Sequence, residues 1–501
     1  MIPQTESPHA VSINSTPPEL LKRIFNYLLY ARDLDEPTSA RVDDIRSLRL
    51  TCRRFCQLAS PLLISELSVS MTEASLERLR NVSSHQLIGS GVRRLHVKLP
   101  YYDRYMADNL THFAYFHIYG MGRHLSHLKA AITSPDSPLR PSYEVPAWVN
   151  AEVLELGEEM ISAWESIYTE DPDDPERDSD ECIKYRNILR ETHREYQLLF
   201  KAQQQMRENG VFLSSIASAM AKMPHADRLE ITDGQDPHHK KDAYLVDRDY
   251  RTSLKAIMLE PHTWSDASFL YTNPDFEPPT ELLHKLPVEI QRAGAALRVV
   301  EVQCSGPWTY AQLSMSPSER DSLIELLQNL QTLIFDTAGK KRGTGWYFTR
   351  QEDARDIVFD FLSTFLQAPN LEHLTIAFSE FALGSQSLIQ VLAGAQNKCL
   401  RQLRLKGAAL RKGELGQYLA HIKGSCNVVL ESAELLDGEW ADEADELRGL
   451  SGVSITVIDP FGAEFRSGQF RDMWNAEEEG MLNKYLQGSS SMNPFRNKNI
   501  S

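Results

Sequence analysis

One loose pattern recurs along this chain and limits what it can fold into. L-x-x-L-x-L, with any aliphatic or aromatic residue at the marked positions, occurs as "VRRLHV" from Val92, "LKAIML" from Leu254, "LRVVEV" from Leu297, "LQTLIF" from Leu330, "LEHLTI" from Leu371, "LRQLRL" from Leu400 and "LSGVSI" from Leu450. "ADRLEI" from Ala226 is a weaker copy. Each copy ends in an alternation that reads as a short strand with one face buried. Segments such as "ERDSLIELLQNL" and "DARDIVFDFLSTFLQ" lie between them and carry helical periodicity. At 501 residues and 42% hydrophobic, the chain is too long for one ordinary core, so several domains or an extended array are expected.

Near the carboxyl end the spacing becomes regular. Leu403-x-Leu405, Val428-x-Leu430 and Val453-x-Ile455 follow one another at 25-residue intervals, with "LRKGEL" and "LLDGEW" in the same register. A strand-plus-helix unit of this length is the size of a leucine-rich repeat, whose strands line the concave side of a horseshoe. Earlier intervals are uneven: 43 residues from Leu254 to Leu297, 33 to Leu330, 41 to Leu371 and 29 to Leu400. The expected fold is an α-β solenoid: a short all-helical module at 14–67, then a degenerate leucine-rich-repeat horseshoe over 88–458. A helical insertion over 100–210 interrupts it, and a cap and tail occupy 459–501. Other α/β arrangements also alternate strands and helices, but no Gly-rich phosphate loop follows any of these strands.

On such a surface the residues flanking the inward leucines face a ligand. These are Met258 and Glu260, Glu301 and Gln303, Ile334 and Asp336, Thr375 and Ala377, and Arg404 and Lys406. Their mixture of charge and polarity suits a protein or peptide. The basic loop "GKKRGTGW" adds Trp346 as a second contact candidate. Between the first two strand copies, "YYDRYMADNLTHFAYFHIYGMGRH" reads as core aromatics, "YTEDPDDPERDSDE" as a solvated linker, and "CIKYRNILRETHREYQLLFKAQQQMRE" as a long helix. Disorder is expected for 1–13 and beyond Gln487.

In the first sixty residues, "TPPELLKRIFNYLLYAR" carries Leu20, Leu21, Ile24, Phe25 and Leu28 at helical spacing, with Thr16, Pro17 and Glu19 as start signals. "LRLTCRRFCQLASPLL" gathers Leu48, Cys52, Phe55 and Ala59 on one face, with Arg49, Arg53 and Arg54 turned elsewhere. No further ligands accompany Cys52 and Cys56, so the pair reads as packing atoms and not as a metal or redox site. Two such short helices cannot bury both apolar faces alone.

"PPELLKRIFNYL" followed by "DIRSLRLTCRRFCQLASPLL" resembles the F-box, and an amino-terminal F-box ahead of irregular repeats is similar to F-box proteins of filamentous fungi. The resemblance implies docking on the Skp adaptor of SCF ubiquitin ligases, and through it on cullin, by Pro17, Leu20, Ile24, Leu28, Leu48, Cys52 and Phe55. It also implies that the repeats hold a target for ubiquitination. The chain departs from the pattern at Thr16, at Thr51 and in a polar insertion from Tyr30 to Asp43.

A net charge of −16 and pI near 5.5 argue against nucleic-acid binding. H-E-x-x-H, G-x-S-x-G and G-x-G-x-x-G are all missing, so a non-catalytic chain without metal or cofactor is expected. Neither a signal peptide nor an apolar run of membrane length is seen, which points to a cytoplasmic or nuclear protein. The alternative function is a repeat scaffold that acts outside ubiquitination.

Overall fold

The computed structural model describes residues 13–30, 39–133, 151–168, 179–234, 250–264, 278–307, 309–337, 354–379, 387–394, 399–466 and 474–497. Three helices open it: α1 (Pro18–Tyr30), α2 (Ser39–Thr51) and α3 (Arg53–Ala59). After them come β1 (Glu66–Ser70), α4 (Glu73–Ser84), β2 (Arg94–Lys98), β3 (Arg228–Thr232), β4 (Val299–Gln303), β5 (Thr332–Asp336), β6 (His373–Ala377) and β7 (Gln402–Lys406). The last strands are β8 (Ala409–Leu410), β9 (Cys426–Glu431), β10 (Glu434–Leu435), β11 (Val453–Ile458) and β12 (Phe461–Gly462).

Nine of these strands form one parallel sheet in chain order, β1-β2-β3-β4-β5-β6-β7-β9-β11, and β8, β10 and β12 form a small second parallel sheet. Two in-register rows of the large sheet face one way. One row runs from Leu67 and Leu95 to Val428 and Ile455, the other from Val69 and Val97 to Leu430 and Val457, and all are buried. Parallel strands need a crossover to return the chain, and helices supply it. Leu76 of α4, Phe212 of the Val211–Lys222 helix, Leu283 of the Leu282–Arg292 helix and Phe361 of the Ala354–Phe365 helix all join this core. Because strand order never reverses, the sheet has no switch point of the kind where α/β folds open a ligand crevice.

This is a mixed α/β protein on a nine-stranded parallel sheet, and the expected leucine-rich-repeat horseshoe is corrected accordingly. Arg94 of β2 pairs with Arg228 of β3, 134 residues on, whereas Gln402 of β7 pairs with Asn427 of β9, 25 residues on. The repeat period therefore belongs to the carboxyl-terminal strands alone. L-x-x-L-x-L is met by any strand buried on one face, so it located strands without fixing a repeat. It also misassigned "LKAIML": Leu254 and Met258 lie in the Tyr250–Met258 helix, because apolar residues at i, i+3 and i+4 satisfy a helix equally well.

Two smaller cores accompany the sheet. Phe113, Met121, Met160, Trp164, Leu189 and Tyr196 form a helical one, built from the Leu110–Thr133, Ala151–Glu165 and Asp180–Glu208 helices and joined by Met258. Leu21, Phe25, Ile45, Phe55 and Ala59 form the core of α1–α3.

At the carboxyl end, each unit ties down the one before it. Glu443 Oε2 accepts from Gly413 N (2.7 Å), and Glu464 accepts from Trp440 N (2.9 Å) and Ala441 N (3.1 Å), filling backbone donors at helix starts. The Ala476–Leu486 helix covers the β11 edge, where Asn483 bonds both N (2.8 Å) and O (3.0 Å) of Val457. The expected disorder beyond Gln487 does not hold as far as Asn497. Asn493 donates to Ala441 O (2.8 Å), and Phe495 stacks on Trp474 with centroids 4.8 Å apart. The linker at 169–178 and the loop carrying Trp346 lie outside the described residues.

Candidate functional site

Two surfaces present side chains outward. The first is on α1. Leu21 and Phe25 turn into the small core, where Phe25 meets Phe55 edge-on at 5.2 Å. That leaves Leu20, Ile24, Tyr27 and Leu28 on the outer side at 48%, 48%, 70% and 40% exposure, and Leu50 of α2 stands out at 88%. Spacing of i, i+4, i+7 and i+8 makes the α1 residues one stripe. Residues 14–67 thus hold a helical trio that keeps one apolar face inward and turns another outward.

Of the residues assigned to adaptor docking, Pro17, Leu20, Ile24 and Leu28 are exposed and Leu48 is half-buried. Phe55 is corrected: it is an internal residue of the trio, because the chain is extended at Cys52, which ends the helix carrying Leu48 and lets α3 turn Phe55 onto Phe25. Cys52 is exposed and caps α3, with its Sγ accepting from Phe55 N at 3.4 Å. The arginines are corrected in part. Arg49 Nε donates to Ser60 Oγ (2.9 Å) and Arg54 donates to Thr16 O, so both brace the trio. Tyr27 and Leu50 were not assigned to docking: Tyr27 lies within the motif but off the i, i+4, i+8 line of Leu20, Ile24 and Leu28, and Leu50 stands at a position the motif leaves open.

The second surface is the face of the large sheet opposite its core. Its middle row runs in register from Ser68 through His96, Glu230, Glu301, Ile334, Thr375, Arg404 and Val429 to Thr456. A second row brings in Lys98, Thr232, Gln303, Asp336, Ala377, Lys406 and Glu431. Glu301, Gln303, Asp336, Thr375, Arg404 and Lys406 therefore share one face, as their spacing predicted. Met258 and Glu260 do not: Met258 is buried in the helical core and Glu260 follows that helix. Glu301 is buried and ion-paired with Arg228, which leaves little of it for a ligand.

Charge on this face is paired across strands. Arg94 Nη1 lies 3.3 Å from Glu66 Oε2 and 3.1 Å from Glu230 Oε2, and His96 Nδ1 lies 3.7 Å from Glu66 Oε1. At the far end Glu431 accepts from Arg404 (2.7 Å) and from Lys406. Burial raises the Glu431 carboxyl, but these two donors outweigh it and hold the group below its ordinary range. Between the charged ends lie Thr332, Ile334 and Thr375, with Asp336 at the end of β5. Glu66 was missed by the sequence reading because β1 was not anticipated, whereas Arg94, His96, Arg228 and Glu230 lie in "VRRLHV" and "ADRLEI", strands that were found but from which no face residues were taken. The alternation in "ELSVS" was the available signal.

Elsewhere, strongly perturbed groups are buried ones. Asp103, which caps a short helix through Met106 N (2.9 Å), is pushed up to about 7 by burial. His117 is held well down by burial and by His262, and Tyr196 is driven up by burial beside Asp103. These shifts follow from burial in and beside the helical core. Among the described residues, no helix is long and apolar enough to cross a membrane. Comparison with protein-family models gives no match, and comparison with curated proteins gives none either.

Proposed function

We propose that this chain is a non-catalytic substrate receptor of an SCF-type ubiquitin ligase. Its α1–α3 trio docks on the Skp adaptor, and the polar face of the sheet holds the target protein. The observation that carries the reading is the outward stripe of Leu20, Ile24, Tyr27 and Leu28 on a trio whose own core, among the described residues, holds five buried apolar side chains. Apolar side chains gathered on one helix face mark a protein contact. The F-box resemblance of the same residues names the partner. Ubiquitin transfer would be promoted by holding the target near the charged conjugating enzyme, which raises its effective concentration.

Co-expression with the Skp adaptor tests this. The full chain should co-purify with it, and Leu20→Asp with Ile24→Asp should abolish co-purification while leaving the chain folded. Retention of the adaptor by the double variant would sink the interface. Recovery of adaptor but never of cullin would favour a scaffold acting outside ubiquitination.

A further inference from the structure

Among the described residues, one group of three metal-ligating side chains converges: Glu66, His96 and Glu230, with one ligand atom from each lying within 4.8 Å of the others. We propose that these three residues form a site for a divalent transition-metal ion of the zinc class on the polar face of the sheet. They come from β1, β2 and β3, three adjacent strands in fixed register, so the backbone positions are set by the ladder itself. Around a tetrahedral ion with ligand bonds near 2.0–2.1 Å, ligand atoms stand about 3.3 Å apart. His96 Nδ1 and Glu66 Oε1, now 3.7 Å apart, reach that separation by small side-chain rotations.

One neighbour favours the arrangement. Thr232 Oγ1 lies 2.9 Å from His96 Nε2 and takes up the second ring nitrogen, as outer partners of metal-bound histidines do. Arg94 holds Glu66 Oε2 and Glu230 Oε2, so Glu66 keeps Oε1 on the histidine side. Imidazole with two carboxylates and no sulfur suits zinc-class ions better than copper(I), and better than magnesium or calcium, which take oxygen alone. The Glu66 side chain is 44% exposed, so a fourth position opens to solvent. Arg94 also competes for the same carboxylates, which makes its removal a diagnostic change.

The test is a zinc titration of the full, chelator-treated chain by calorimetry, with a thermal melt in parallel. The chain holds 15 His and 6 Cys, so variants are compared with wild type. Wild type should bind one zinc more than His96→Ala or Glu230→Gln, and zinc should raise its melting temperature but not theirs. Arg94→Met, which removes a competing cation from the two carboxylates, should bind zinc at least about tenfold tighter. Equal zinc binding by wild type and His96→Ala would overturn the site. If His96→Ala fails to melt cooperatively in chelator, Arg94→Met decides alone: unchanged or weakened binding there means that the cluster is an ion-pair network only.

Discussion

Glu443 is fully buried, and its carboxylate accepts from Gly413 N with one oxygen. Burial pushes it up to about 7 from an ordinary 4.5. The folded chain therefore holds this proton more tightly than the unfolded chain, and stability falls as pH rises from about 4.5 to about 7. Glu443→Gln keeps an acceptor for Gly413 and removes the buried charge. It should raise stability at pH 8 by up to roughly 3 kcal/mol and flatten that part of the pH profile, as measured by denaturant unfolding at several pH values. A loss of stability at pH 8 would mean that the ionised carboxylate is the better cap. His284 titrates with the opposite sign. Burial holds it down to about 4, so its contribution rises from about pH 4 to its ordinary 6.5. A chain with both groups is eroded from the acid side by one and from the neutral side by the other.

At the scale of an element, α1 separates two roles by a single residue step. Phe25→Ala removes a ring packed edge-on to Phe55 and should cost about 3–5 kcal/mol. Hydrogen exchange across α1–α3 should then show the trio opening while the sheet amides stay protected. Leu20→Asp with Ile24→Asp should leave that protection unchanged to within about 0.5 kcal/mol, because both side chains already stand in solvent. Equal damage from both changes would place the outer stripe in the trio's own core. The Ala476–Leu486 helix has a comparable division of labour at the other end of the molecule. Asn483→Ala deprives Val457 of two bonds on an edge strand and should cost about 1–3 kcal/mol, measurable as a lower unfolding midpoint.

At the scale of the whole molecule, the amino-terminal trio is not a bead on a string. A Cβ built on Gly91 would lie 1.8 Å from Pro61 O and 2.5 Å from Pro61 C. The chain leaving the trio therefore presses backbone against backbone where the path turns into β2. Gly91→Ala should cost more than about 2 kcal/mol and shift trio and first strands together in thermal unfolding. An unchanged melting curve would mean that the trio is tethered but not docked. This coupling matters for the proposed function, since a receptor gains from holding its target at a fixed distance from its adaptor.

The sequence alone was enough to find most strands, to separate a helical amino terminus from a strand-rich remainder, and to pick out residues sharing the sheet's polar face from β4 to β7. Those features are local, because alternation and helical periodicity are written in neighbouring residues. Pairing across long separations decided the rest. The parallel sheet that joins Arg94 to Arg228 could not be read from a repeat period that never reaches them. The inward turn of Phe55 depended on its partner Phe25 thirty residues away, and β1 became a strand because β2 lies beside it. The cluster of Glu66, His96 and Glu230 exists only in the folded chain, where register gathers ligands that the sequence scatters.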